Sequence, residues 1–173
     1  MTSEQTPTGH ETAARVAAAE HPVPAQLAAY GDLAFLYLRT DRYRDMTLAQ
    51  ARQIIQPPID HMQYRVFRID GVPRMALTWA YLSDGAEMRL VSGEVLGAAE
   101  WASGPNVWLM DLVAPYGRGT GRVALRWFLD NLPRTKARIR YLKPGACGRP
   151  QKLVELTRRP GGRWGARAVA IRT

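Results

Sequence analysis

Apolar residues in the first third of the chain recur every three or four positions, as on one face of an α-helix. This spacing predicts a helix over residues 24–38. A second helix is predicted over 48–55, with Thr47 as its N-cap. Pro57 and Pro58 follow and are expected to end that helix, because proline lacks the backbone N–H that an α-helix uses.

Hydrophobic and polar residues then alternate over 64–69, which predicts a strand. The dipeptide Asp70-Gly71 is typical of a tight hairpin turn, and residues 73–82 supply the returning strand. A buried strand is predicted over 106–113, where the run is almost entirely apolar.

The remaining segments predict two more helices, one over 92–102 with Ser92 as its cap and one over 122–131. A strand over 136–142 would carry its basic residues on one face, and 151–173 is expected to form a last hairpin. We therefore expect an α+β, or mixed α/β, fold in which a central, mostly antiparallel sheet is flanked by helices.

Length and composition indicate one folded unit. A chain of 173 residues with 46% hydrophobic residues suits a single globular domain, expected over 24–173 after a flexible leader at 1–23. No apolar run approaches the ~18 residues of a membrane helix. The leader lacks the apolar core of a signal peptide, so we expect a cytoplasmic protein. The single cysteine, Cys147, excludes an internal disulfide and a cysteine-based zinc site.

Charge is distributed unevenly along the chain. Residues 1–114 contain 9 basic and 13 acidic residues, a net charge of −4, whereas 115–173 contain 15 basic and 2 acidic residues, a net charge of +13. Such asymmetry predicts an acidic partner for the C-terminal half, or else a solvated basic face. A nucleic-acid partner is disfavoured because no nucleic-acid-binding module is recognisable.

Asp111 is the first candidate for chemistry, because it interrupts an apolar run. A buried charge is unfavourable unless it is paired or has a catalytic role, so Asp111 is either a catalytic carboxylate or a structural one that binds loop amides. The histidines at positions 10, 21 and 61 show no spacing that indicates a metal site, and no metal is expected.

A glycine-rich loop follows the buried strand and is the second candidate. Its Arg118, Gly119 and Gly121 resemble the pyrophosphate loop of the GNAT acyltransferase superfamily, and glycine there lets backbone amides approach an anion. A plain flexible turn is the alternative.

Three motifs together resemble the RTX toxin-activating lysine acyltransferases: Thr78-Trp-Ala-Tyr-Leu-Ser83, Glu100-Trp-x-Ser-Gly104 and Trp108-x-x-Asp111-x-x-Ala-Pro-Tyr-Gly117. The resemblance implies a GNAT-like fold and a cytoplasmic enzyme that moves a fatty acyl group from acyl-acyl carrier protein to a lysine ε-amine of an RTX protoxin. It also implies a tendency to form a homodimer and no permanently bound cofactor. The acidic carrier protein would suit the basic half of the chain.

The family uses an aspartate and a histidine; Asp111 matches the aspartate, and Tyr43 occupies the position of the histidine. We expect Asp111 to receive the amine proton while Tyr43 protonates the departing thiolate, with Arg42 and Arg44 lowering the pKa of Tyr43 if they lie close. Two alternatives remain open. In the first, the chain is a non-catalytic relative that binds a carrier protein or a membrane-bound complex. In the second, it is a GNAT enzyme that uses acyl-CoA.

Overall fold

Alternating apolar residues build one sheet at the centre of the protein. The computed structural model describes residues 22–117, 119–144 and 150–169, and within them six strands lie in the order β1-β2-β3-β4-β5-β6. The strands are Tyr64–Ile69 (β1), Val72–Leu82 (β2), Asn106–Val113 (β3), Arg138–Pro144 (β4), Pro150–Arg158 (β5) and Trp164–Val169 (β6).

The helices cover both faces of this sheet. They are Pro24–Tyr37 (α1), Leu48–Asp60 (α2), Asp84–Val91 (α3) and Thr120–Asn131 (α4), with short 3₁₀ turns at Asp41–Tyr43 and Ala98–Trp101. None of the helices in the described part is long and apolar enough to cross a membrane.

The sheet divides into two antiparallel halves, β1 to β3 and β4 to β6, which meet in one parallel contact. Among the described residues, that contact pairs only Val107 with Ile139 and Trp108 with Arg140. The helix α4 makes the crossover between these two strands. The expectation of a mixed fold with a mostly antiparallel sheet and flanking helices is therefore confirmed.

Each face of the sheet has its own apolar core. The helix α4 packs its buried Ala124 and Phe128 on one face, against side chains that include Leu77 and Leu109. The opposite face is covered by α1 and α2 at one end and by α3 at the other. Its buried residues include Leu33, Leu36, Tyr37, Ile59, Ala76, Val113, Ala80, Leu82 and Trp108.

The prolines at 57 and 58 do not end α2, contrary to the sequence prediction. The helix continues to Asp60, because the two prolines lose only their donors while their carbonyls still accept from His61 and Gln63 at 3.0 and 2.7 Å. Pro57, Pro58 and the following Ile59 are all buried. Burial of apolar surface offsets the missing hydrogen bonds.

The helix predicted over 92–102 is also wrong. The helix in this region is α3, whose N-cap is Ser83: its hydroxyl accepts from the Ala86 amide at 3.2 Å. Ser92 is the C-cap, and Gly93 follows with a positive φ of 86°, a common way to end a helix. The pair Ser92-Gly93 therefore marks an end where the sequence analysis assumed a beginning.

The Glu100–Gly104 motif joins the loop before β3 to the end of β2. Trp101 is buried, and the Ser103 hydroxyl accepts from the Ser83 amide at 2.9 Å. Gly104 donates to the Tyr81 carbonyl at 3.0 Å, and a Cβ at position 104 would lie 2.5 Å from the Ser83 Cα. The motif therefore has a structural role in packing, and the close contact with Ser83 requires glycine at position 104.

We predict that Gly104→Ala lowers the free energy of unfolding by about 2 kcal/mol, because a methyl group there meets backbone that has to move. The control is Gly31→Ala, in the exposed middle of α1 with open space around it, which should raise stability by about 0.5 kcal/mol. Urea unfolding followed by circular dichroism measures both. Equal stability of Gly104→Ala and wild type would contradict the close contact.

Candidate active site

A β-bulge in β3 decides which face of the sheet Asp111 occupies. Thr78 pairs with Asp111 and Trp79 with Leu109, so Met110 is the extra residue. Side chains alternate between faces along a strand, and the extra residue returns Asp111 to the face that α1 and α2 cover. Without it, the carboxylate would point toward α4.

The Asp111 carboxylate accepts hydrogen bonds from two side chains and one amide. The Arg42 guanidinium donates to Oδ1, the Tyr43 hydroxyl donates to Oδ2, and the Leu112 amide donates to Oδ1 at 2.7 Å. The Arg42 guanidinium also donates to the Tyr43 hydroxyl. The Asp111 side chain is 9% exposed, so its charge is stabilised mainly by these partners.

The 3₁₀ turn after α1 brings Arg42 and Tyr43 to this carboxylate. The Thr40 hydroxyl donates to the Leu36 carbonyl at 2.9 Å, and the Tyr43 amide donates to the Thr40 carbonyl at 2.8 Å. The ring of Tyr43 packs on that of Tyr37 with centroids 4.7 Å apart. The chain thus reverses direction against the sheet, and the structure joins the two predicted residues, Tyr43 and Asp111.

The two flanking arginines behave differently from each other. Arg42 lies in the site but was not predicted as a site residue, although its place beside Tyr43 in the sequence was an available signal. Arg44 turns away and pairs with Asp41 at 2.7 Å on the surface.

The pKa of Tyr43 is raised overall, so the lowering that was expected from Arg42 is present but does not decide the direction of the shift. Burial and the Asp111 charge raise this pKa well above its usual value, against the opposing effect of Arg42. Burial, together with Asp111 and Tyr43, also raises the pKa of Tyr37 well above normal. Both phenols therefore stay protonated at neutral pH. The hydroxyls of Tyr37 and Thr78 have no hydrogen-bond partner among the described residues.

A cavity of about 340 Å³ opens beside Asp111, where β3 and β4 diverge beyond their two paired positions. We call it the strand cleft. Its lining residues come from the 3₁₀ turn, β3, α4 and β4: Arg42, Leu109, Met110, Asp111, Leu112, Gly121, Arg122, Leu125, Tyr141, Leu142 and Lys143. The walls are mostly apolar and include three basic side chains, Arg42, Arg122 and Lys143. The cleft therefore suits an apolar chain that ends in an anionic group.

The glycine loop lies at one edge of this cleft. Gly119 is the N-cap of α4 and has a φ of 93°, which disfavours other residues. Gly121 lines the cleft beside Leu112. Arg118 lies outside the described residues. Arg122, in the first turn of α4, lines the cleft and was not singled out from the sequence.

An ion-pair network lies where β3 and β4 are paired. The Trp108 indole donates to Glu87 at 2.5 Å, and Arg140 donates to Glu87 at 2.9 Å and to Glu155 at 3.0 Å. Arg167 donates to Glu155 at 2.8 Å. The predicted basic face of β4 is therefore partly neutralised, since its Arg140 is bound by two carboxylates.

Among the described residues, histidine adds no second site. His61 contacts the Ala98 carbonyl at 2.9 Å through Nε2. Within residues 22–117, 119–144 and 150–169, no group of three or more His, Cys, Asp or Glu side chains could hold a metal ion. His10, His21 and Cys147 lie outside the described residues.

Comparison with known proteins gives one family match. The family model HlyC, described as the RTX toxin acyltransferase family, matches residues 24–154. The protein-lysine palmitoyltransferase CyaC of Bordetella bronchiseptica is 27% identical over 119 residues, which make up 68% of this chain and 64% of the relative. The RTX-II toxin-activating lysine-acyltransferase ApxIIC of Actinobacillus pleuropneumoniae is 28% identical over 88 residues, or 50% of this chain and 55% of the relative. The chain thus matches less than two thirds of the length of either relative.

Among solved structures, the chain is similar to the loading GNATL domain of CurA from Lyngbya majuscula. The alignment covers 72% of this chain and 63% of that domain, at 12% identity and a TM-score of 0.47.

We predict that Tyr37 and Tyr43 resist ionisation in the folded protein. Because their folded pKa values are raised, they stabilise the fold fully below the unfolded value of about 10, and this stability is lost as the pH rises above it. An ultraviolet titration of tyrosinate should therefore show two groups that ionise only on unfolding. Tyr43→Phe should remove one of these late groups, whereas the control Tyr116→Phe, at an exposed position, should leave both of them in place. Early ionisation of Tyr43 would contradict the site as described.

Proposed function

Because this chain belongs to the RTX toxin acyltransferase family, we propose that it transfers a fatty acyl group from a thioester donor to the ε-amine of a protein lysine. The acceptor that we propose is an RTX-type protoxin, and the donor is acyl-acyl carrier protein. The observation that carries this proposal is the hydrogen-bonded pair of Tyr43 and Asp111 beside the strand cleft.

The reaction needs a neutral lysine amine, whose usual pKa is about 10.4. In the proposed mechanism the amine nitrogen attacks the thioester carbonyl carbon, and its proton passes to the Tyr43 oxygen as the Tyr43 proton moves to Asp111. The C–S bond then breaks, and the protonated Asp111 gives the proton to the thiolate. The products are an amide and a free thiol, and Tyr43 is a phenol at the start and at the end.

This role for Tyr43 differs from the one expected from sequence. A thiol has a pKa of about 8.5, whereas the pKa of Tyr43 is raised well above that of a free phenol. Direct proton donation from Tyr43 to a thiolate is therefore unfavourable. A carboxylic acid at position 111 is a much stronger donor, and a neutral phenol that relays the proton never has to exist as a tyrosinate.

Arg42 supports the mechanism in two ways. Its guanidinium forms an ion pair with Asp111 and so compensates the charge of this nearly buried carboxylate. The same side chain lines the strand cleft, so its N–H groups can stabilise the negative charge that develops on the thioester oxygen during attack.

The strand cleft is the proposed donor site. Its apolar wall suits the acyl chain, and Arg122 and Lys143 suit the phosphate of a pantetheine arm. The strongly basic C-terminal half of the sequence favours an acidic carrier protein over a small donor. Gly119 and Gly121 keep an acyl-CoA donor as the second candidate, because the N-terminus of α4 suits a pyrophosphate.

We predict that Asp111→Asn lowers the rate of acyl transfer by about 10²–10⁴-fold, since it removes the proton acceptor. Tyr43→Phe should lower the rate by about tenfold or more, because the relay is lost while Asp111 remains. Transfer from acyl-acyl carrier protein to a protoxin is followed by intact-protein mass spectrometry, and far-ultraviolet circular dichroism checks that each variant folds.

The controls are Asp41→Asn, in the same turn but bonded to Arg44 on the surface, and Tyr116→Phe. Both should keep wild-type rates. Full activity of both Asp111→Asn and Tyr43→Phe would overturn the mechanism. A wild-type protein that binds acyl carrier protein but transfers nothing would instead establish the non-catalytic alternative.

We also predict that donor recognition depends on charge at the cleft. Arg122→Glu and Lys143→Glu should each lower kcat/KM for acyl-acyl carrier protein by about tenfold at low salt, and the difference should shrink as salt screens the charges. Arg126→Glu is the control, because Arg126 lies on the same helix but pairs with Asp130 at 3.0 Å. Stronger competition by free CoA than by unacylated carrier protein would favour the acyl-CoA donor.

A further inference from the structure

A second cavity, of about 410 Å³, adjoins the same pair of residues. We call it the turn cavity, because the 3₁₀ turn forms one of its walls and α2 forms another. Its lining residues are Arg42, Tyr43, Asp45, Met46, Gln50, Gln53, Ile54 and Val95.

The two cavities share Arg42 but divide the reacting pair between them. Asp111 lines the strand cleft, and Tyr43 lines the turn cavity. The hydrogen bond from Tyr43 to Asp111 therefore joins the two spaces. A group in the turn cavity reaches the Tyr43 side of this bond, while a group in the strand cleft reaches the Asp111 side.

The lining of the turn cavity matches a lysine side chain. Met46, Ile54 and Val95 offer apolar surface for the four methylene groups of lysine. Asp45 offers a carboxylate for the ammonium group, and in the part of the chain that the structure describes it forms no salt bridge, unlike Asp41. An acyl chain suits the cavity poorly, because it would desolvate these polar groups without replacing their hydrogen bonds.

Gln53 and Val95 of the turn cavity also line a larger groove of about 840 Å³ between α2 and the Ala98–Trp101 turn. This groove contains both signs of charge, with Arg52 and Arg89 on its walls and Glu100 beside them. A polypeptide that carries the lysine needs such room for its flanking residues.

We propose that the turn cavity binds the acceptor lysine, so that acceptor and donor approach the Tyr43–Asp111 pair from different cavities. This inference rests on the proposed function and adds the acceptor site to it. Asp45 attracts the ammonium at the entrance, the ammonium loses one proton to water, and Tyr43 takes a proton from the resulting neutral amine at the inner end as the amine attacks. The acyl donor stays in the strand cleft, so that the two substrates do not compete for one space.

Binding of a minimal acceptor tests the inference without any activity. Nα-acetyl-lysine N-methylamide is titrated into the ¹⁵N-labelled full chain, and amide shifts are followed by NMR. We expect saturable shifts in residues 45–54, weaker binding of the norleucine analogue that lacks the ammonium, and loss of binding in Val95→Trp. Met88→Trp is the matched control, since Met88 is exposed, as Val95 is, but lines neither cavity. Absent shifts, shifts confined to the strand cleft, or unchanged binding in Val95→Trp would overturn the inference.

Kinetics separate the two substrates. Asp45→Asn should raise KM for the acceptor by about threefold, an effect of the size expected for an exposed ion pair, while KM for the donor stays unchanged. The control Asp41→Asn should change neither the KM for the acceptor nor the KM for the donor. A wild-type protein without transfer activity would defeat the proposed function itself. An active wild type whose acceptor KM is the same in Asp45→Asn and Val95→Trp would defeat the acceptor site alone.

Discussion

The parallel contact between β3 and β4 controls the rest of the architecture. It joins two residue pairs of the described strands, and beyond them the halves of the sheet diverge. Glu87 strengthens this contact from outside the sheet, since it accepts from Trp108 on one strand and from Arg140 on the other. A longer ladder would close the sheet and leave no room beside Asp111. Because the ladder is short, the strands are held together at the two paired positions and leave an open cleft beside Asp111.

The fold was predictable where local signals and tertiary packing agree. The strands, the Asp70-Gly71 hairpin and α1 follow from alternation, turn chemistry and helical spacing. The prediction failed at Pro57, where burial in the core outweighs a local helix-breaking tendency. It failed again at Ser92, because a serine followed by glycine is compatible with either end of a helix, and only the cap on Ser83 decides between them.

Two residues of the candidate site, Tyr43 and Asp111, were predictable from the sequence, whereas Arg42, Arg122 and the geometry were not. Asp111 stood out as a charge in an apolar run, whereas Tyr43 was found through its position in a family motif. Their contact depends on the bulge at Met110, because strand alternation alone would place Asp111 on the face toward α4. The pattern of apolar residues in β3 does not indicate this bulge. The direction of the pKa shift of Tyr43 could not be predicted from the sequence either, since it depends on how deeply the phenol is buried and on the neighbouring carboxylate.

The distance along the chain between Tyr43 and Asp111 has a consequence for folding. Tyr43 and Asp111 are 68 positions apart, and one belongs to the helical layer while the other belongs to the sheet. A carboxylate on the inner face of a sheet is stable without helices only while water covers it. The docking of the helical layer therefore removes this water and supplies Arg42 and Tyr43 in the same step. The candidate active site is therefore complete only when the helical layer lies on the sheet, and a chain that misplaced the first helix would leave the Asp111 charge without these partners.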